Sequence, residues 1–184
     1  MEIVSIYPPY IYSVRYDRWD ENEFDRIFQL WNDVGAVAQF IRDNSHWLKT
    51  SFWLDKIEPE DATRQVLDEA ESLETLFDVL NENTSKGQKP DFDSHFQYLD
   101  GKYKFVLEWQ PMKSYGTSRP SLLRIYAIKM AANTYLITGG GIKLADTIQN
   151  SPDLKDHIIQ DIDLVRTYLK ENGIMDSDDM ENDF

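Results

Sequence analysis

The stretch from Leu122 to Lys143 constrains the fold more than any other part of the 184-residue chain. Leu122 to Met130 is a strand-length apolar run, a short turn follows at Ala131 to Asn133, and Thr134 to Thr138 returns the chain before Gly139-Gly140-Gly141. Two such runs joined by so short a turn pair antiparallel, because a parallel partner needs a crossover of a dozen residues or more. Upstream, Phe96 to Leu99 leads into the turn dipeptide Asp100-Gly101, and Tyr103, Phe105, Leu107 and Trp109 alternate on one face of a further strand. A polar loop, Lys113 to Pro120, separates that strand from Leu122. The expected centre of the molecule is an antiparallel meander.

Helical periodicity surrounds it. From Asn22, apolar residues recur every three or four positions through Phe24, Ile27, Phe28, Trp31, Val34, Val37, Ala38 and Ile41, which predicts one helix ending near Asn44. Pro59, followed by Glu60 and Asp61, opens a second helix with the stripe Val66, Ala70, Leu73, Phe77 and Leu80. Two core-packing helices in an antiparallel hairpin are the expectation, with the aromatics of His46-Trp47-Leu48 and Phe52-Trp53-Leu54 at the core rim. Asn81 to Pro90 reads as a loop. Ser151 as cap, Pro152 at the first helical position and Leu154, Ile158, Ile162, Val165 and Leu169 predict a last helix, stopped at Gly173. Ile3 to Tyr7 and Tyr10 to Tyr16, split by Pro8-Pro9, form an opening strand or hairpin. The order is α+β: an N-terminal strand, two helices, an antiparallel sheet of about four strands and a C-terminal helix. One domain spans residues 1–174, and the acidic Met175 to Phe184 reads as a disordered tail. Helices packed on one face of such a sheet would leave the other partly open for a site.

Charge is unevenly spread. The formal net charge is −14, yet residues 101–150 carry seven basic and two acidic side chains, while residues 1–100 carry nine and 21 and residues 151–184 three and ten. The basic stretch, Lys102, Lys104, Lys113, Arg119, Arg124, Lys129 and Lys143, is interleaved with Tyr103, Trp109, Tyr115, Tyr126 and Tyr135. A protein this acidic overall does not attract nucleic acid through its global field, so any anion site must be local. Alternation puts Arg124 and Tyr126 on one strand face, with Ile125, Ala127 and Lys129 on the other. The arginine and the phenol could grip a phosphate and stack a base, or form an arginine–carboxylate pair beside a packed tyrosine.

Several chemistries lack a motif. With no cysteine there is no disulfide, thiol nucleophile or iron–sulfur site. His46, His95 and His157 are far apart and match no metal-ligand spacing. The glycine triplet with Lys143 could turn N–H groups toward an anion, but it is neither a Walker loop nor the dinucleotide fingerprint, and a bulge or tight turn accounts for it better. Nothing resembles an export signal, and no apolar run reaches the roughly 18 residues of a membrane span. A cytoplasmic protein with no cofactor is the expectation.

The run Leu122-Leu123-Arg124-Ile125-Tyr126-Ala127-Ile128-Lys129, followed by Tyr135-Leu136-Ile137-Thr138-Gly139-Gly140-Gly141-Ile142-Lys143, resembles the sheet of the RelE/ParE toxin superfamily. It is most similar to the HigB-like and phage Gp49-like branch, over about residues 98–171. The resemblance implies a RelE-like fold and a toxin of a type II toxin–antitoxin module. Such toxins are metal-independent endoribonucleases that cut mRNA, commonly on the ribosome, and are neutralised by a helix-turn-helix antitoxin encoded nearby. Arg124 matches the strand arginine that clamps the phosphate, Lys143 matches the lysine after the last strand, and Tyr126 joins them as a catalytic candidate. Arg119, Lys129, Lys113 and Lys104 are candidates for binding RNA. Family members are usually basic and much shorter than this chain. The alternative is a noncatalytic interaction protein of the same fold, whose acidic helices and tail bind a basic protein partner.

Overall fold

A computed structural model describes residues 1–50, 52–53, 57–99, 109–118 and 120–181. The fold is α+β, with N-terminal strands, three helices, a mixed sheet completed by the later strands, and C-terminal helices. The strands are β1 (Glu2–Tyr7), β2 (Ile11–Arg15), β3 (Gln97–Tyr98), β4 (Gln110–Tyr115), β5 (Leu123–Ala131) and β6 (Thr134–Ile142). They form one six-stranded sheet in the order β1-β2-β6-β5-β4-β3. The expected meander is present as β3 to β6, all antiparallel. Two expectations need correction: the sheet has six strands rather than about four, and it is mixed. The N-terminal residues form a hairpin whose second strand runs parallel to β6, pairing Ile11–Ser13 with Tyr135–Ile137.

The stretch read as one helix from Asn22 is two, α1 (Glu23–Asn32) and α2 (Val34–Asp43). Asp33 divides them. It leaves helical geometry, and its Oδ1 accepts from the Ala36 N–H at 2.9 Å, capping α2. The helix α3 begins at Pro59 as expected but continues to Ser85, into the segment read as a loop. The first three residues of the expected loop Lys113 to Pro120 belong instead to strand β4, while residues 103–108 of the expected preceding strand lie outside the described residues.

The last helix also starts later than its sequence signals suggest. Residues 152–157 form successive turns, and α4 spans Ile158–Glu171. Ser151 is fully buried and serves the strand instead: its Oγ accepts from Leu144 N–H at 2.9 Å and lies 3.4 Å from the Ile142 carbonyl. Within the segment read as a disordered tail, Ser177–Glu181 form α5, and Met180 is buried in one cluster with Val165 and Leu169.

Helices cover both faces of the sheet. On one face, Phe24, Ile27, Phe28 and Trp31 of α1, Val37 and Ile41 of α2, and Val66, Ala70, Leu73 and Phe77 of α3 close over Ile11, Leu123, Ile125, Ala127 and Ile137. Each fully buried side chain of this size contributes about 1.5–3 kcal/mol. Gly140 is needed for this approach, because a Cβ there would stand 2.8 Å from the Arg124 carbonyl oxygen and 3.0 Å from Ile27 Cδ1. On the other face, Val165 and Leu169 of α4 pack on Tyr12, Val14, Ile128 and Leu136, while Ile158 and Ile162 pack on Tyr126. The expected open face is therefore largely closed, leaving a cavity beside β4 and β5.

Among the described residues, no helix is long and apolar enough to cross a membrane.

Candidate functional site

A cavity of about 550 Å³ is lined by Lys113 and Tyr115 from β4, Arg124 and Tyr126 from β5, and Lys143 just beyond β6. Phe52, Leu99, Ile148 and Ile159 add apolar wall, and Asp146, Thr147 and Gln149 form its polar margin. Three of these lining residues are cationic and one is acidic. Strand geometry brings them together: Tyr115 is the register partner of Arg124, Tyr126 is two residues further along β5, and Lys113 two residues back along β4.

Arg124 is 6% exposed. Its Nη1 donates to the Ser121 carbonyl and the Ser121 hydroxyl, both at 3.0 Å, and to the Leu123 carbonyl at 2.6 Å. Its Cζ lies 4.1 Å from the centre of the Tyr115 ring. Carbonyls at Nη1 and the Tyr115 ring under Cζ hold the guanidinium in place.

Lys143 is half-buried. Its Nζ donates to the Ala145 carbonyl and, at 2.8 Å, to the Asp146 carbonyl, and stands 4.5 Å from the Phe52 ring centre. Burial pushes its pKa down to about 8, and repulsion from Arg124 and Lys113 adds to this against the attraction of Asp146. A neutral amine has two N–H bonds, which the two carbonyls can accept, leaving its lone pair for a substrate proton.

Tyr126 is 1% exposed, packed by Leu154, Ile158 and Ile162. Burial raises its phenol pKa, so the hydroxyl stays protonated at neutral pH and can donate but not act as a base. Lys113 completes the basic wall, with Nζ donating to the Leu99 carbonyl at 3.1 Å and lying 5.7 Å from the Tyr115 ring centre.

The other candidates stand elsewhere. Lys129 lies apart from the cavity, paired at 2.8 Å with Asp93 Oδ1, which also accepts from the Tyr135 hydroxyl at 2.6 Å and the Asn133 N–H at 3.0 Å. Burial alone would raise the Asp93 pKa; the bonds from Lys129, Tyr135 and Asn133 outweigh it and hold the carboxyl low. Lys129 thus ties the β5–β6 turn to the segment around Asp93. Arg119 and Lys104 lie outside the described residues. The glycine triplet does not end β6 but lies within it, where Gly139 pairs with Tyr126 and Gly141 with Arg124, and the next N–H, of Ile142, donates to Asp153 Oδ2 at 2.7 Å.

Sequence reasoning did not assign Tyr115, Phe52 or Asp146 to the site. Tyr115 carried a signal, its two-residue spacing from Lys113, but the Ser, Gly and Pro around it read as loop. Phe52 carried none, since tertiary packing alone brings it to Lys143, whereas Asp146 is only three residues beyond Lys143, a nearness in sequence that was not used. No protein-family model, curated protein or solved structure matches this chain.

Proposed function

We propose that the cavity binds a phosphodiester of single-stranded RNA and that the protein is a metal-independent mRNA endoribonuclease, the toxin of a type II toxin–antitoxin module. The observation carrying this reading is the convergence of Lys113, Arg124 and Lys143 on one half-enclosed cavity beside a protonated tyrosine. The resemblance of the Leu122 to Lys143 strand pair to the RelE/ParE superfamily supports it, with the ribosome as the place of action and a helix-turn-helix antitoxin as partner.

In the proposed reaction the ribose 2′-oxygen attacks the adjacent phosphorus and its proton passes to the neutral Lys143 amine. Arg124 and Lys113 stabilise the added charge on the phosphoryl oxygens, and Tyr126 donates a hydrogen bond to one of them. The P–O5′ bond then breaks, leaving a 2′,3′-cyclic phosphate, and the departing oxygen takes a proton from solvent. Induced expression tests the reading. The parent chain should arrest growth, and Arg124→Ala and Lys143→Ala should each reduce the cleavage rate by about 10²-fold or more, the scale of a lost acid–base or charge-stabilising group. Arrest by both variants as strong as by the parent would refute the assigned roles.

The net charge of −14 favours a second reading, a noncatalytic protein that binds a basic partner through its acidic helices. A protein that co-purifies with a neighbour-encoded basic protein but neither cleaves RNA nor slows growth would establish it.

A further inference from the structure

We infer that Glu69 is a positioning residue for Arg124, acting through the Ser121 hydroxyl. Glu69 belongs to α3, which packs on the sheet face opposite the cavity, and it is 0% exposed. A carboxylate in such a place is strongly unfavourable unless its oxygens are filled. They are filled by the chain that leads into β5: Leu122 N–H at 3.2 and 3.1 Å from the two oxygens, Leu123 N–H at 2.9 Å and Ser121 Oγ at 2.9 Å. Gln65 Nε2 adds a bond at 2.8 Å and holds the Pro120 carbonyl at the same distance. The site is also shaped for the carboxylate, since a Cβ on Gly116 would stand 2.0 Å from Glu69 Oε2.

The residues bound by Glu69 are those that hold Arg124. The Arg124 Nη1 reaches both the Ser121 hydroxyl and the Ser121 carbonyl. The hydroxyl has two acceptors for its one hydrogen, Glu69 Oε2 at 2.9 Å and the Leu123 carbonyl at 3.1 Å; the carboxylate is nearer and charged, and the guanidinium can only donate, so the direction is set. Ser121 commits its hydrogen to Glu69 and turns a lone pair to Arg124. The negative charge on the far side of the sheet is thereby linked to the cation in the cavity through one side chain, and the guanidinium is oriented before any ligand arrives. That this orientation serves RNA cleavage rests on the function proposed above; the hold on Arg124 does not.

The test is Ser121→Ala, which removes the link and leaves the backbone bonds to Glu69 in place. Two readouts are taken on the full chain: ¹⁵N relaxation of the Arg124 Nε–H group, and the affinity for a 2′-O-methyl RNA oligonucleotide, which binds but cannot be cleaved. The expected result is loss of Arg124 order, with the Nε–H order parameter falling below about 0.6, and about five- to tenfold weaker binding in a variant that still folds, with a lowered melting temperature because two buried charged groups lose a partner. Glu69→Gln should loosen Arg124 in the same sense; if it does not fold, Ser121→Ala decides alone. An Arg124 side chain as rigid in Ser121→Ala as in the parent would overturn the inference. If the parent binds no RNA, the relaxation readout still decides the hold on Arg124, while the function reading fails separately.

Discussion

At Lys143 the proposed chemistry and the electrostatics of the fold meet in one amine. Because its pKa lies near 8, cleavage that uses the neutral amine as base should rise with pH and level off above about 8. A kcat/KM profile checks this, and a flat profile between pH 6 and 9 would remove Lys143 from the role. The same shift has a stability consequence. In the unfolded chain the lysine titrates at its ordinary value, so between about 8 and that value the unfolded state binds more protons and stability rises with pH. Below about 8 the folded state bears the full cost of the buried ammonium. Urea titrations across this window should therefore show the parent gaining stability relative to Lys143→Met as pH rises.

The elements place these side chains because strand alternation is strict and helix docking is not. Arg124, Tyr126 and the Lys113–Tyr115 pair reach one cavity through period-two geometry and the β4–β5 register, and alternation likewise sends Lys129 to the opposite face. The shared face of Arg124 and Tyr126, with Lys129 on the other, was legible in residues 122–143; the β4 pair was not, because Lys113 to Pro120 read as a loop. Closure of the second face was not, since the apolar stripe of α4 says that it packs but not on which face of the sheet. Glu69 was equally hidden, because among the acidic residues of α3 only the fold around Gly116 and Ser121 distinguishes it. The division of the first long helix turns on a single side chain. Asp33→Ala should remove the cap of α2 and cost about 1 kcal/mol, measured by chemical denaturation. An unchanged midpoint would show that the cap contributes nothing at that junction.

For the whole molecule, the balance is between a net charge of −14 and a small cationic cavity. Long-range steering of RNA is unfavourable, so binding must come from short-range contacts. If Lys113, Arg124 and Lys143 are the cations that displace counterions, log Kd for a short single-stranded RNA should change with log salt at a slope of magnitude about 2 or less. A much steeper slope would place further lysines and arginines on the RNA, with Lys102, Lys104 and Arg119 in the same basic stretch the first to examine. The sharpest measurement is the chemistry of the cut ends. mRNA exposed to the purified protein in a translating extract, or directly in buffer containing a metal chelator, should yield fragments ending in 2′,3′-cyclic phosphate, which vanish with Arg124→Ala. Intact RNA in both settings, or ends bearing a 3′-hydroxyl, would contradict the account.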